Sequence, residues 1–167
     1  QLLIKNKNLK NVKFFNIALG QVEKVVDFYD HFETQSSTIS KINFNSKYYK
    51  KKNIFLNPLR TNNKKINIVQ IKMRKLEDIL NELKVENVDI LKIDTEGYDF
   101  NVIKGLGNNI KKVKYIYFEH HFHDMLLKKY KLSDINDYLY NNNFIKVFKS
   151  KMIFRKTFEY IYFNNSI

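Results

Sequence analysis

The spacing of apolar and polar positions predicts strands that alternate with helices along most of the chain. Residues 11–19 and 22–29 are rich in β-branched and aromatic residues and predict two strands, with a turn at Gly20 between them. Residues 66–71 predict another strand. Apolar residues at helical spacing then predict an amphipathic helix through about residue 84: Met73, Leu76, Ile79, Leu80 and Leu83.

The second half of the chain continues this alternation. Gly105 and Gly107 suit the end of a short helix, and Ser133 suits the start of a longer one. The elements predicted there are, in order, a buried strand over 88–93, a short helix over 100–106, a strand over 114–122, a helix over 134–140, and strands over 144–148 and 158–163.

This order predicts an α/β protein with a mostly parallel sheet covered on both faces. A chain of 167 residues can form one substantial core, so we expect a single domain over residues 1–167. Between residues 34 and 65, Ser, Asn and Lys dominate the sequence. We therefore expect a long, exposed and partly ordered excursion in that segment.

The net charge of +13 is unevenly distributed, because residues 34–76 contain eleven Lys and Arg and no acid. Two explanations stay open: coding bias with a solvated basic face, or attraction to an anionic partner. The chain has no cysteine, which excludes disulfides and thiolate sites and fits a cytoplasmic location. No apolar run approaches the roughly 20 residues of a membrane-spanning helix.

The end of the predicted strand over residues 88–93 carries two carboxylates and a glycine, Asp94, Glu96 and Gly97. In an open parallel sheet, ligands bind just beyond the carboxyl ends of the strands. Asp94 and Glu96 are therefore candidates for a base or for a group that positions a substrate. The alternative is structural, since acids near a helix N-terminus also cap the helix.

A second cluster of chemically active side chains runs from Glu119 to Asp124 and includes three histidines. If the strand continues, Glu119, His121 and His123 share one face and could bind a divalent metal. If it ends near His121, that histidine becomes a candidate general base and the others form a polar rim. Residues 48–52 mix Tyr and Lys, which suits single-stranded nucleic acid, a phosphorylated acceptor or a flexible basic loop.

Several runs of residues resemble the C-terminal half of FkbM-type methyltransferases. They are Leu76-Glu77-Asp78-Ile79-Leu80, Val88-Asp89-Ile90-Leu91-Lys92-Ile93-Asp94-Thr95-Glu96-Gly97-Tyr98, Val102-Ile103-Lys104-Gly105 and Ile116-Tyr117-Phe118-Glu119. Upstream, Asn16-Ile17-Ala18-Leu19-Gly20 and Ser36-Ser37-Thr38-Ile39 are similar to the middle section of that family. The resemblance covers most of residues 11–122.

The resemblance implies a Rossmann-like class I fold with an antiparallel final strand. It also implies S-adenosylmethionine as the donor of a methyl group to a hydroxyl of a sugar, polyketide or similar metabolite. By this likeness Ala18 lies near the adenine pocket and Asp94 flanks the transferred methyl, so both are expected cofactor contacts. Asp94, Glu96 and His121 are the expected catalytic residues, and a small-molecule or glycan acceptor is favoured over nucleic acid.

One departure from the family is large. A glycine-rich turn normally follows the first strand of such folds, and no pair of glycines in this chain follows a strand and opens a helix. We therefore expect an N-terminally truncated, inactive fragment whose first two family strands lie before residue 1. The early strand that ends at Leu19 is then expected to be unpaired or docked abnormally, and cofactor binding to be weak or undetectable.

Two other classes of function remain open at this stage. A basic nucleic-acid-binding module would need a compact positive groove and an affinity that falls steeply with salt. A metal-dependent hydrolase would use Asp94, Glu96 and the cluster His120–His123, which must then converge within a few ångströms.

Overall fold

The computed structural model describes residues 11–30, 37–56, 67–153 and 155–167. Within them the elements are, in chain order, β1 (Ala18–Leu19), β2 (Lys24–Asp30), β3 (Lys41–Ile42), α1 (Lys47–Leu56), β4 (Asn67–Arg74), α2 (Leu76–Glu82), β5 (Val88–Ile93), α3 (Asp99–Lys104), a 3₁₀-helix (Gly107–Lys112), β6 (Val113–His121), β7 (Leu126–Leu127), α4 (Leu132–Asn141), β8 (Phe144–Lys151) and β9 (Thr157–Asn164).

The largest sheet of the described residues has four strands in the order β5-β6-β9-β8. β5 and β6 are parallel, and β9 is antiparallel to both of its neighbours, β6 and β8. Three strands therefore run in one direction, and the last strand of the chain runs in the other between two of them. The predicted antiparallel final strand is confirmed.

A separate three-stranded sheet has the order β1-β4-β2. β1 lies parallel to β4, with Ala18 opposite Met73, and β2 lies antiparallel to β4. The early strand is thus paired, so the first of the two expected alternatives, an unpaired strand, is wrong. β3 and β7 form a further antiparallel pair.

The described sheets are mixed, so the prediction of one mostly parallel sheet is wrong. Most neighbouring strands in them are antiparallel. One reason lies in the connections, because β8 and β9 are joined by only a few residues and a short connection permits only an antiparallel pair. The protein is accordingly an α/β protein built on two mixed sheets and a small strand pair.

Three local predictions also need correction. Met73 belongs to β4 rather than to the following helix, because its side chain is fully buried against Gly20. α4 begins at Leu132, and the Lys131 N–H donates to Asp134, so Ser133 is not the N-cap. Part of the expected excursion is the helix α1, whereas residues 31–36 and 57–66 lie outside the described residues, as do residues 1–10.

The main hydrophobic core packs on one face of the four-stranded sheet. Phe118 of β6 stacks with Tyr160 and Tyr162 of β9, and α4 contributes Ile135 and Leu139, which are four residues apart and share one helix face. Burying a large apolar side chain stabilises the fold by about 1.5–3 kcal/mol. Phe118 itself is fully buried in this core.

A close backbone contact joins the three-stranded sheet to the end of α3. A Cβ atom on Gly105 would lie far inside van der Waals contact with the carbonyl oxygen of Gly20. Gly20 is held by donating its N–H to Arg74 O at 3.0 Å, and Gly105 O accepts from the Glu77 N–H at 2.9 Å. Neither backbone can retreat freely, so only glycine fits at position 105.

We expect Gly105→Ala to lower the free energy of unfolding by about 1–3 kcal/mol, because the added methyl group overpacks this contact. Urea denaturation followed by circular dichroism measures the change. Asn108→Ala is the matched control, since its side chain is exposed at the same helix end. Equal stability of Gly105→Ala and the wild type would show that the contact is absent.

Candidate active site

The turn that follows β5 has an unusual backbone conformation. Glu96 has a φ of 49° and Gly97 a φ of 88°, so two successive residues lie in the left-handed region. This conformation is energetically unfavourable for a residue other than glycine. Such a residue adopts it only where the surrounding structure holds it there. A Cβ atom on Gly97 would lie 3.1 Å from the Leu126 side chain and 3.4 Å from the Ser40 hydroxyl oxygen. This crowding and the left-handed φ together favour glycine at position 97.

A buried threonine from a distant part of the chain holds the outer side of this turn. The Thr38 hydroxyl lies 2.8 Å from the carbonyl oxygen of Glu96 and 3.2 Å from that of Thr95, and donates its proton to them. The same hydroxyl oxygen accepts the Ser40 N–H at 2.9 Å. Thr38 therefore satisfies the two carbonyl groups that the left-handed turn exposes.

A buried carboxylate holds the inner side of the turn. Asp99, at the start of α3, is 1% exposed and accepts from the Thr95 N–H at 3.2 Å and from the Thr95 hydroxyl at 2.8 Å. Burial raises the pKa of Asp99 to about 6, although the two bonds from Thr95 oppose that rise. Thr38 and Asp99 together fix Thr95 and the carbonyl group of Glu96.

Glu96 and His121 meet at the carboxyl end of the sheet. The His121 Nε2 lies 3.3 Å from the Glu96 Oε2, and the His121 Nδ1 lies 2.9 Å from the Thr157 hydroxyl. The side chain of His121 is 5% exposed and that of Glu96 is 17% exposed, so Glu96 is the member that a substrate can reach. Parallel pairing of β5 with β6 brings the two together, since such strands end at the same edge.

Asp94 and Glu119 form the acidic part of the site. Asp94 is exposed at the end of β5, whereas Glu119 is buried on β6. The pKa of Glu119 is raised, first by burial and then by the negative charge of Asp94. A bound cation would relieve this repulsion.

Helix α1 lies beside the histidines. Its Tyr48 ring stacks on His123, with centroids 4.2 Å apart and an interplanar angle of 11°, and the rings of His123 and His121 are 5.1 Å apart. The Ser46 hydroxyl donates to Asp124 at 2.6 Å and holds the start of the helix. The residues predicted as a basic loop are therefore an ordered helix against the site.

The histidine cluster divides between the two faces of β6. The strand ends at His121, as one of the two alternatives predicted, and His120 lies on the opposite face beside Lys128. Among the residues that the structure describes, no three His, Asp or Glu side chains are arranged to hold a metal ion. The hydrolase alternative thus lacks its ligand set in this part of the chain.

The expected cofactor contact Ala18 belongs to a different sheet from the strands that carry these groups. It is buried in β1 of the three-stranded sheet, whereas Asp94 follows β5 of the four-stranded sheet. No hydrogen bond or ion pair described for either residue joins the two. The sequence identified Glu96 and His121 as candidates but assigned no role to three residues that shape the site: Thr38, Asp99 and Thr157.

The comparison with known families gives the class of the chain. Residues 3–146 match the family described as Methyltransferase FkbM domain, so the α/β protein is of the methyltransferase class. The chain belongs to the FkbM methyltransferase family, which confirms the resemblance that the sequence motifs indicated. No curated protein and no solved structure matches the chain. The described residues contain no helix that is long and apolar enough to span a membrane.

Proposed function

We propose that the protein is an S-adenosylmethionine-dependent methyltransferase that methylates a hydroxyl group of a sugar, polyketide or similar metabolite. The observation that carries this proposal is the pair Glu96–His121 at the carboxyl ends of β5 and β6 in a chain of the FkbM family. The strand order β5-β6-β9-β8, in which β9 alone is reversed, supports a Rossmann-like class I methyltransferase fold.

Glu96 is the group that takes the proton of the acceptor hydroxyl. Its carboxylate is the exposed member of the pair, and a base must reach the proton that it removes. In the tautomer that this role requires, the His121 Nε2–H faces the Glu96 carboxylate at 3.3 Å while the Thr157 hydroxyl donates to Nδ1. His121 therefore orients the carboxylate from the buried side, and Asp94 helps to position the acceptor or the cofactor.

The acidic side chains fit a cationic cofactor. S-adenosylmethionine carries a sulfonium and an ammonium group, and Asp94 and Glu119 present two coupled carboxylates at the end of the sheet. When bound, the cofactor supplies the methyl group. Asp94 and Ala18 are the proposed contacts of this chain, in keeping with the family resemblance.

The acceptor side of the site is formed by α1 in this proposal. Lys47, Lys50 and Lys51 are exposed on the helix whose Tyr48 stacks on His123. A polar acceptor that carries a phosphate or a carboxylate would be attracted there. The nucleic-acid alternative is supported by the overall positive charge and by the mixed Tyr and Lys residues of 48–52. A cytoplasmic location and a single domain over residues 1–167 stay predictions.

The proposal is tested by nuclear magnetic resonance with S-adenosylhomocysteine as the probe. This method is chosen because it detects even the weak cofactor binding that the sequence predicts. At about millimolar ligand, we expect the amide signals of Ala18, Leu19, Asp94 and Thr95 to shift. Asp94→Asn should weaken binding about tenfold, whereas Asp89→Asn, an exposed acid on the same strand, should not. Unchanged signals at both strand ends would contradict the proposed cofactor site.

A further inference from the structure

Helix α1 presents a row of lysines to solvent next to the candidate site. Lys47, Lys50 and Lys51 are spaced by three and four residues, so they lie on one side of the helix, and all three are exposed. We call this side the lysine face. Among the residues that the structure describes, no ion pair reaches these lysines. Like charges at this spacing weaken a helix slightly, and a negatively charged ligand would relieve their repulsion.

Another side of α1 is tied to the pair Glu96–His121 by a series of contacts. The Tyr48 ring stacks on His123 with centroids 4.2 Å apart, and the His123 and His121 rings are 5.1 Å apart. The Nε2 of His121 then lies 3.3 Å from the Glu96 Oε2. These contacts hold the lysine face at a fixed place beside the candidate base.

An exposed aromatic ring precedes the lysine face. Phe44 lies three residues before Lys47 and is 50% exposed, and Tyr49 holds its ring edge-on with centroids 5.5 Å apart. Tyr49 in turn packs against the small core around β3 and β7. A ring that is exposed and held in place offers a flat apolar surface to the C–H face of a sugar. Together with the lysines, it fits a sugar that carries an acidic group.

The aromatic residues of this segment suit a sugar better than a nucleic acid. Single strands bind by stacking successive bases on exposed aromatic rings. Tyr48 is already stacked on His123, and Tyr49 is half-buried in contact with Phe44. Within residues 44–51 the Phe44 ring is therefore the exposed one, which offers a surface for one ring and not for a run of bases.

We propose that Phe44 and the lysine face recognise an acidic sugar as the acceptor, with a phosphate or a carboxylate as its negative group. The negative group binds to the lysines while the sugar ring packs on Phe44, and another part of the acceptor brings its hydroxyl to Glu96. The three lysines and Phe44 select the acceptor and do not touch the reacting atoms. The inference rests on the proposed function for the reaction, and it adds the class of acceptor.

The test titrates the full chain with glucose 6-phosphate and with glucuronic acid, followed by nuclear magnetic resonance without cofactor. We expect the amide signals of residues 44–51 to shift, and neutral glucose to bind about tenfold more weakly. Added salt should weaken the binding of both acids, because the lysines are exposed and their charges are screened. The tighter of the two acidic sugars distinguishes a phosphate from a carboxylate as the recognised group.

A combined replacement of the three lysines by Gln tests the charge. It should weaken the binding of the acidic sugars about tenfold, since each exposed charge pair contributes a modest amount. Replacement of the same lysines by Arg keeps the charge and should keep the affinity within about twofold. A matched control, also within about twofold, places Gln at three exposed lysines elsewhere: Lys111, Lys129 and Lys151.

Phe44→Ala tests the aromatic surface separately from the charge. It should weaken the binding of glucose 6-phosphate about fivefold but leave that of inorganic phosphate unchanged, because a free phosphate has no ring to pack on Phe44. Equal weakening of both ligands would overturn the role of Phe44.

Four further results would overturn the proposal. They are equal affinity for glucose and glucose 6-phosphate, unchanged affinity in the folded Gln variant of the lysine face, equal weakening by the control variant, and tighter binding of oligothymidylate than of either acidic sugar. The last result would favour a nucleic-acid surface. Failure of S-adenosylhomocysteine to bind would contradict the proposed function but leave these titrations as they are, so the two proposals fail separately.

Discussion

Glu96→Gln is expected to lower the rate of methyl transfer by about 10²–10⁴-fold, because an amide cannot take the proton of the acceptor hydroxyl. The glutamine has the size of glutamate and its amide oxygen can still face His121, so the turn and the fold should persist. The measurement is transfer of labelled methyl from S-adenosylmethionine to the alcohol that the wild type methylates best in a panel of sugar and polyketide alcohols.

Whether the substitution changes kcat or KM distinguishes a catalytic base from a group that binds substrate. A base acts in the transition state, so kcat should fall while the KM for S-adenosylmethionine stays within about twofold. Glu86→Gln, which replaces an exposed acid outside the site, is the control. A Glu96→Gln protein that keeps the wild-type kcat would remove Glu96 from the mechanism and leave Asp94 as the remaining exposed carboxylate.

Asp99→Asn and His120→Gln are expected to give opposite pH dependence of stability. Burial raises the pKa of Asp99 from 3.8 to about 6, so the folded state holds more protons and stability falls as pH rises through that window. Burial, assisted by the Lys128 charge, lowers the pKa of His120 from 6.5 to about 4, so stability rises between about pH 4 and 6.5. In the wild type the two effects nearly cancel.

When one of the two groups is removed, the pH dependence of stability that remains is the one contributed by the other group. The free energy of unfolding of Asp99→Asn should increase by about 3 kcal/mol from pH 4 to 6.5, because the His120 contribution is no longer opposed by that of Asp99. That of His120→Gln should decrease by about 3 kcal/mol from pH 4 to 6, because Asp99 remains. Urea denaturation at several pH values measures both, with the exposed Asp137→Asn as control. Parallel pH curves for all four proteins would contradict the assignment.

The part of the site formed by neighbours in sequence was predictable from local pattern. The bounds of β5 agree with its run of apolar residues, and Asp94 and Glu96 follow at the end of that strand. The end of β6 at His121 was one of two predicted alternatives. Such features depend on hydrogen bonding and burial within a few residues. The local sequence of apolar and polar side chains is therefore enough to predict them.

The basic segment shows where local pattern misleads. Residues 47–56 contain Lys, Tyr and Asn without a clear apolar stripe, so they read as a loop. The chain forms a helix there because Ser46 bonds to Asp124 and Tyr48 stacks on His123, more than 70 residues away in sequence. Tertiary contacts outweigh weak propensity in such a case.

Sequence pattern alone predicted an α/β protein with carboxylates at the end of a buried strand, and the resemblance of its motifs indicated the FkbM family. The folded chain was needed to show that Glu96 meets His121 and that Thr38 and Asp99 hold the turn from both sides. It also showed β1 paired with β4 and the two mixed sheets. The physical reason is that these contacts join residues far apart in the chain. The strand pairing and burial that bring them together produce no periodic pattern in the sequence.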